Sequence, residues 1–462
     1  MVKKGYRKLK HIHMVGIGGT GMNGIAEVLL NLGYVVSGSD IQENEATHRL
    51  VRLGARVAIG HREDNLGDAD VVVISSAVHG DNVEVRKART LKIPVIPRAE
   101  MLAELMRMKH GIAVAGSHGK TSTTSMTALV LLAGGYDPTI VVGGRLNTIG
   151  ANAKLGEGDF IVAEADESDR SFLYLSPFIA VLTNIDEEHL DQYPDLDEIK
   201  KTFVNFANKV PFYCPVVLCL DDPNLQGIIP EIERKIITYG FSTQSDYFAR
   251  DYAFDEFMST SCVYYKGERL GELKLNVPGK HNILNAMAAI AVGMDLEIPV
   301  KTIFQALESY TGTGRRFELK ATVRDIMVIE DYAHHPTEIK ATLEAAKRGW
   351  ERRVVVVFQP HRYTRLSHLL NSFATSFNQA DVVIVTEVYA AGEAPLPGVS
   401  GKNLYEEIVQ FGHKQVHFEA DLSRVPALIG RIARPNDIVL VLGAGNITRT
   451  IPAIIAGLEG GK

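Results

Sequence analysis

Ile112-Ala113-Val114-Ala115-Gly116-Ser117-His118-Gly119-Lys120-Thr121 is the stretch on which the reading of the fold turns. Its first four residues read as a strand buried on both faces, and the residues after Lys120 read as a helix. Between them lies a loop built for an anion. Glycine lets backbone N–H groups point inward, and the N-terminus of the following helix carries partial positive charge. A lysine suits β- and γ-phosphates, and a hydroxyl suits Mg²⁺. Gly116, Ser117, His118, Gly119, Lys120 and Thr121 supply all of these. The common spacing G-x-x-x-x-G-K-[ST] would place a glycine at position 114. Val114 stands there, so the loop is the shorter G-x-x-G-K-T. The competing reading is an ordinary strand-helix turn that happens to contain Gly-Lys-Thr.

Upstream, the same grammar occurs once more. His11 to Val15 reads as a strand, Gly16-Ile17-Gly18-Gly19-Thr20-Gly21 as a glycine turn, and the pattern to Leu32 as a helix. A second strand starts at Tyr34-Val35-Val36 and ends in Ser37-Gly38-Ser39-Asp40. Taken alone, G-x-G-x-x-G with an acid after the next strand is a dinucleotide fingerprint. The physics says only that a diphosphate fits the helix N-terminus formed by Gly16, Gly18, Gly19, Thr20 and Gly21. A UDP-sugar, with its ribose near Ser39 and Asp40, satisfies that as well as NAD does. A tight turn with no ligand also remains open.

Downstream, polar clusters recur at the ends of apolar runs, where ligands of open α/β sheets bind. Glu164-Ala165-Asp166-Glu167-Ser168-Asp169 and Asn184-Ile185-Asp186-Glu187-Glu188-His189 offer hard oxygen and imidazole donors for Mg²⁺. Asn282 and Asn285 open an alanine-rich helix, where an amide can read an adenine edge or cap the helix. Arg315-Arg316, Asp331-Tyr332-Ala333-His334-His335 and His361-Arg362-Tyr363-Thr364-Arg365 follow. Each cluster by itself could be solvated surface charge.

The bulk numbers fit such a chain. With 462 residues, 46% hydrophobic and 23% charged, it is expected to form several globular domains. A net charge of -6 argues against a nucleic-acid footprint, which needs a basic face. No run of about 18 apolar residues exists, so no membrane span is expected. The basic start Met1 to Lys8 is not followed by a signal-length apolar run. The three cysteines, Cys214, Cys219 and Cys262, form no C-x-x-C pair and read as free thiols of a reducing cytoplasm. The expected architecture is α/β, with three domains in series. These are an N-terminal Rossmann-like nucleotide-binding domain over 1–108, a central phosphate-loop ATPase-like domain over 109–312 and a C-terminal Rossmann-like domain over 313–462.

The motifs resemble, in order and along nearly the whole chain, those of the Mur ligases. The short Gly116 to Thr121 loop, Ala163 to Asp169, Asn184 to His189, His281-Asn282 with Asn285-Ala286, Arg316-Phe317-Glu318 and Asp331 to Pro336 all match. Gly16 to Met22 and Phe358 to Arg365 resemble the family's alanine-adding branch. The resemblance implies ATP and Mg²⁺, with UDP-N-acetylmuramate and L-alanine as small-molecule substrates, and no nucleic-acid or membrane partner. It implies Lys120 on the β/γ-phosphates, and Thr121, Glu164 and His189 as metal ligands. Asn282 and Asn285 would meet adenine, Asp331 the ribose, and Arg316 the phosphates. His334, His361, Arg362 and Arg365 would line the amino-acid and carboxylate side. Sister ligases carry a carbamylated lysine downstream of the metal histidine. Thr202-Phe203-Val204-Asn205 stands in that region here, as expected for the alanine-adding branch. Three rivals stay open: a ligase joining a recycled peptide to the same UDP-sugar, an NAD-dependent oxidoreductase using Gly16 to Gly21, and a non-enzymatic nucleotide-binding module.

Overall fold

The structure, a computed structural model, describes residues 9–75, 77–146, 151–188 and 192–460. The chain forms two compact units. One comprises the residues up to Asp186, with Asp195–Tyr247 and Ala286–Ala306. The other comprises Glu187–Pro194, Phe248–Asn285 and the chain from Leu307 onward.

The first unit opens with β1 (His11–Val15), β2 (Val35–Asp40), β3 (Arg56–Ile59), β4 (Val71–Ile74) and β5 (Val95–Pro97), in the order β3-β2-β1-β4-β5. All four pairings are parallel. This places the carboxyl ends of β1 and β2 side by side, below the first glycine turn. The same unit carries β6 (His110–Ala115), β7 (Thr139–Leu146), β8 (Ala151–Lys154), β9 (Phe160–Glu164), β10 (Ile179–Leu182), β11 (Pro215–Cys219) and β12 (Lys235–Gly240). Their order is β12-β11-β10-β6-β9-β7-β8. Because β6 lies between β9 and β10, the loop after it receives side chains from both neighbours.

The second unit contains β13 (Tyr247–Asp255, whose first residue belongs to the first unit), β14 (Met258–Tyr265) and β15 (Glu268–Leu275). It then adds β16 (Glu318–Val323), β17 (Ile326–Asp331), β18 (Arg353–Phe358), β19 (Val382–Val385), β20 (Val416–Phe418) and β21 (Asp437–Leu442). The last six run β16-β17-β21-β18-β19-β20, parallel except for β16 against β17. Strand residues alternate between two cores. Ile329, Val354, Val356, Phe358, Val383 and Leu440 enter one, and Val328, Val355, Val357, Ile384, Val439 and Val441 the other. Both faces are covered, which is why these strands read as unbroken apolar runs.

Phe248–Asn285 groups in the structure with the chain from Leu307 onward. Aromatic packing accounts for this. Phe257 meets Trp350 edge-on at 4.9 Å, Trp350 stacks on Phe317 at 5.5 Å, and Glu256 N–H donates to Gly349 O at 3.0 Å. Contacts so distant along the chain leave no periodic trace. The cysteines are free, as expected, with Cys214 and Cys219 buried and Cys262 partly so. Among the described residues no helix is long and apolar enough to cross a membrane.

Candidate functional site

In the first unit, the loop after β1 is held by the end of β2. Gly16, at φ +79°, and Ile17 both donate their N–H to Ser39 O, at 2.8 and 3.1 Å. Gly18 N–H donates to Asp40 Oδ2 at 2.8 Å, and a Cβ on Gly18 would lie 2.8 Å from Asn44 Nδ2. Asp40 therefore shapes the turn, with its other oxygen accepting Ile41 N–H. The helix Thr20–Asn31 begins after Gly19 with no side-chain cap, leaving an N-terminus suited to an anion. Ser39 braces the same loop. Its side chain is fully buried, donates to Glu84 Oε2 at 2.6 Å and meets His61 Nδ1 at 2.9 Å, so it supports the loop from behind. Sequence reading missed Arg98. A Cβ on Gly21 would lie 2.9 Å from its Nη1, and its Nη2 lies 3.5 Å from Asp166 Oδ2. A guanidinium thus lies at the start of the helix, between the first loop and the acids after β9.

The loop after β6 is clamped by the chain leaving β10. Gly116, at φ +142°, packs so closely that a Cβ would lie 2.0 Å from Thr183 Oγ1. Asn184 grips the His118 peptide from both sides: its Oδ1 accepts His118 N–H at 2.8 Å and its Nδ2 donates to His118 O at 3.0 Å. Thr183 Oγ1 donates to the same carbonyl at 2.6 Å. Ser117 Oγ accepts Asp186 N–H at 2.9 Å, and His118 Nε2 lies 3.0 Å from Asp186 Oδ2. The helix Lys120–Ala133 starts with no side-chain cap. The cradle is therefore rigid and its helix end is open, the condition for binding phosphate.

Lys120, Thr121 and Glu164 come together here. Glu164 Oε1 accepts Gly143 N–H at 2.8 Å, and its carboxylate accepts the Thr121 hydroxyl. Burial pushes Glu164 above its ordinary pKa, with Gly143, Thr121 and Lys120 opposing. A hydroxyl beside a buried carboxylate at a phosphate loop is the hard-oxygen donor set that Mg²⁺ prefers, so these two residues fit the expected ion. Asp166 would also rise through burial, but Lys120 and Arg98 outweigh it and hold the carboxyl below its ordinary value. His189, the third expected ligand, lies outside the described residues.

In the second unit, Asn282 Nδ2 donates to Pro278 O at 2.7 Å and Asn285 Nδ2 to Asn282 Oδ1 at 3.2 Å. Asp331 accepts Phe317 N–H and Ala333 N–H, at 2.8 and 2.7 Å, and burial pushes its carboxyl up to about 6 despite Arg316. Arg316 Nη1 donates to Glu338 Oε1 at 3.1 Å. His334 Nδ1 lies 3.0 Å from Glu338 Oε2, and its ring meets His361 edge-on at 5.8 Å. His361 stacks on Tyr389. Burial, then His334 and the arginines Arg365, Arg362 and Arg315, push its pKa down to about 3, so it stays neutral. Arg365 Nη1 donates to His361 O at 3.2 Å, and Arg362 pairs with Glu393 at 3.0 Å. His334, His361, Arg362 and Arg365 thus come together at the ends of β17 and β18, with His361 neutral beside the two guanidinium groups.

The three sequence segments match three family descriptions. Residues 11–110 match the Mur ligase family catalytic domain, 114–293 the Mur ligase middle domain and 315–445 the Mur ligase glutamate ligase domain. A UDP-N-acetylmuramate–L-alanine ligase of Syntrophotalea carbinolica is 58% identical over 454 residues, covering 98% of this chain and 99% of that protein. Among solved structures, a UDP-N-acetylmuramate-alanine ligase of Thermotoga maritima superposes with a TM-score of 0.83 at 32% identity, covering 98% of this chain and 100% of that one. A murein peptide ligase of Psychrobacter arcticus reaches 0.72 at 25%, covering 98% and 99%. Matched by these domain descriptions and by relatives along nearly its whole length, the chain belongs to the Mur ligase family.

Proposed function

We propose that the chain is an ATP-dependent ligase that joins L-alanine to the lactyl carboxylate of UDP-N-acetylmuramate, a cytoplasmic step of peptidoglycan precursor synthesis. The observation that carries this reading is the 58% identity, over 98% of the chain, to a ligase of that name. The preformed cradle at Gly116 to Thr121 supports the ATP part. The limits of the three matched segments, 11–110, 114–293 and 315–445, support functional domains at 1–108, 109–312 and 313–462.

The carboxylate takes the γ-phosphoryl group of ATP, giving an acyl phosphate and ADP. The amine of L-alanine attacks the acyl carbon, and phosphate leaves the tetrahedral intermediate as the amide forms. The first step brings two anions together, so it needs cations fixed in advance. Lys120 and the open N–H groups of the helix Lys120–Ala133 hold the phosphates. Thr121 and Glu164 would hold Mg²⁺, which when bound screens the phosphate charge. The uncapped helix at Thr20 is assigned to the UDP diphosphate, with Gly16, Gly18, Gly19 and Gly21 allowing close approach, Arg98 adding a charge and Asp40 fixing the turn. Family resemblance assigns Asn282, Asn285 and Asp331 to the nucleoside and Arg316 to the phosphates. It assigns His334, His361, Arg362 and Arg365 to the amino acid and muramoyl carboxylate.

The likeness to a murein peptide ligase keeps one second reading in view. Equal concentrations of L-alanine and L-alanyl-γ-D-glutamyl-meso-diaminopimelate, offered with ATP, Mg²⁺ and UDP-N-acetylmuramate, separate the two by product mass. The alanine adduct should dominate, with ADP released only when every substrate is present. A dominant tripeptide adduct overturns the reading.

A further inference from the structure

Glu167 is not one of the groups assigned above to substrate or metal. It follows β9, is only 2% exposed, and places both carboxylate oxygens on Lys120 Nζ, at 2.9 and 2.8 Å. The same ammonium donates to Gly116 O at 2.6 Å and to Ser117 O at 3.2 Å. Lys120 is therefore folded back over its own loop, its charge set against a buried anion. A phosphate entering the cradle brings a rival anion to that ammonium. It also approaches a carboxylate that low-dielectric surroundings leave poorly screened.

We propose that Glu167 is a positioning residue that holds Lys120 on the ligand-free loop and sets the threshold for nucleotide binding by competing with the phosphates for that ammonium. The inference rests on the reading of Gly116 to Thr121 as the ATP loop. Burial disfavours the Glu167 charge and Lys120 opposes that, so the carboxylate draws on the same ammonium that a phosphate would take.

The test is calorimetric titration of ADP in EDTA into the full chain and its Glu167→Gln, Glu167→Asp and Lys120→Ala variants. Glu167→Gln removes the competing charge and keeps the shape, so it should bind ADP about tenfold more tightly. Glu167→Asp draws the carboxylate back by one methylene and should bind about threefold more tightly. KM for ATP should fall in step. A damaged fold cannot produce tighter binding, so the direction separates positioning from a structural role. If Glu167→Gln fails to fold, Glu167→Asp decides alone. Lys120→Ala should bind ADP more weakly than the unmodified chain. Unchanged or weaker ADP binding in the Glu167 variants overturns the inference and leaves the ATP loop standing. No ADP binding by the unmodified chain overturns both.

Discussion

Glu84 offers a sharp quantitative test of how the first glycine turn is supported. It occupies the first turn of the helix Val83–Thr90, whose N-cap Asn82 accepts Glu84 N–H, so the helix dipole favours its negative charge. The side chain is fully buried. Its oxygens accept from Ser39 Oγ at 2.6 Å, Asn65 Nδ2 at 2.5 Å, Arg62 N–H at 3.1 Å and His13 Nε2 at 3.2 Å, with the histidine tautomer that carries its proton there. Burial by itself would raise the carboxyl's pKa, but these donors outweigh it and carry it from 4.5 down to about 2. A carboxyl displaced that far contributes about 3 kcal/mol at neutral pH. The folded value is the lower one, so this stability is present above the unfolded value and is lost as pH falls toward the folded one. At about pH 3, about 2 kcal/mol of it should be gone.

Glu84→Gln keeps the volume, removes the charge and turns one acceptor into a donor facing buried donors, which should cost about 2–3 kcal/mol at neutral pH. Hydrogen exchange followed by mass spectrometry reads this locally, through peptides covering β1 and β2. Their amide protection should drop about 30- to 150-fold in the variant at neutral pH. Corrected for intrinsic exchange, the unmodified chain should lose about 30-fold protection on going to about pH 3, and the variant much less. Protection within threefold of the unmodified chain at neutral pH, or equal acid sensitivity in both proteins, would refute the buried-anion argument.

Lys120→Ala should lower turnover by at least about 10²-fold, as removing one preorganised charge-stabilising donor does. Its unfolding midpoint without nucleotide should fall, because the buried Glu167 carboxylate and the Gly116 carbonyl lose the ammonium they share; steady-state ADP release and thermal scans check the two effects. Gly116→Ala should cost about 1–3 kcal/mol and abolish the ADP-induced rise in melting temperature, because φ is +142° and the new methyl meets Thr183 Oγ1; a parental ADP response would contradict the clamp at Thr183. Arg362→Lys keeps the charge but loses the fork that binds carboxylates, so kcat/KM should fall at least about tenfold. A smaller loss there would remove Arg362 from carboxylate recognition.

Much of the site was legible because its signals are local. Gly116, Gly119, Lys120 and Thr121 follow one another between a strand and a helix, and the same backbone geometry that makes the cradle dictates that spacing. The apolar runs of β6, β18, β19 and β21 were legible because sheets covered on both faces admit little else. The partner of Ser39 was not legible for the opposite reason: its hydroxyl bonds Glu84, 45 residues away.

What the sequence by itself determined, then, was the order of strands, glycine turns and helices, the two anion-ready helix ends and the family. Each depends on residues within one turn or strand of each other, or on motif order along the chain. Tertiary structure alone decided which side chains brace those turns. Asn184 reaches His118 across 66 residues, Glu167 reaches Lys120 across 47, and Arg98 meets the acids after β9. It also decided that Phe248–Asn285 packs with the C-terminal unit. Such partners are chosen by strand order, β6 between β9 and β10, and by aromatic burial. Both arise from long-range packing, whose free energy is shared among residues that carry no common pattern in the chain.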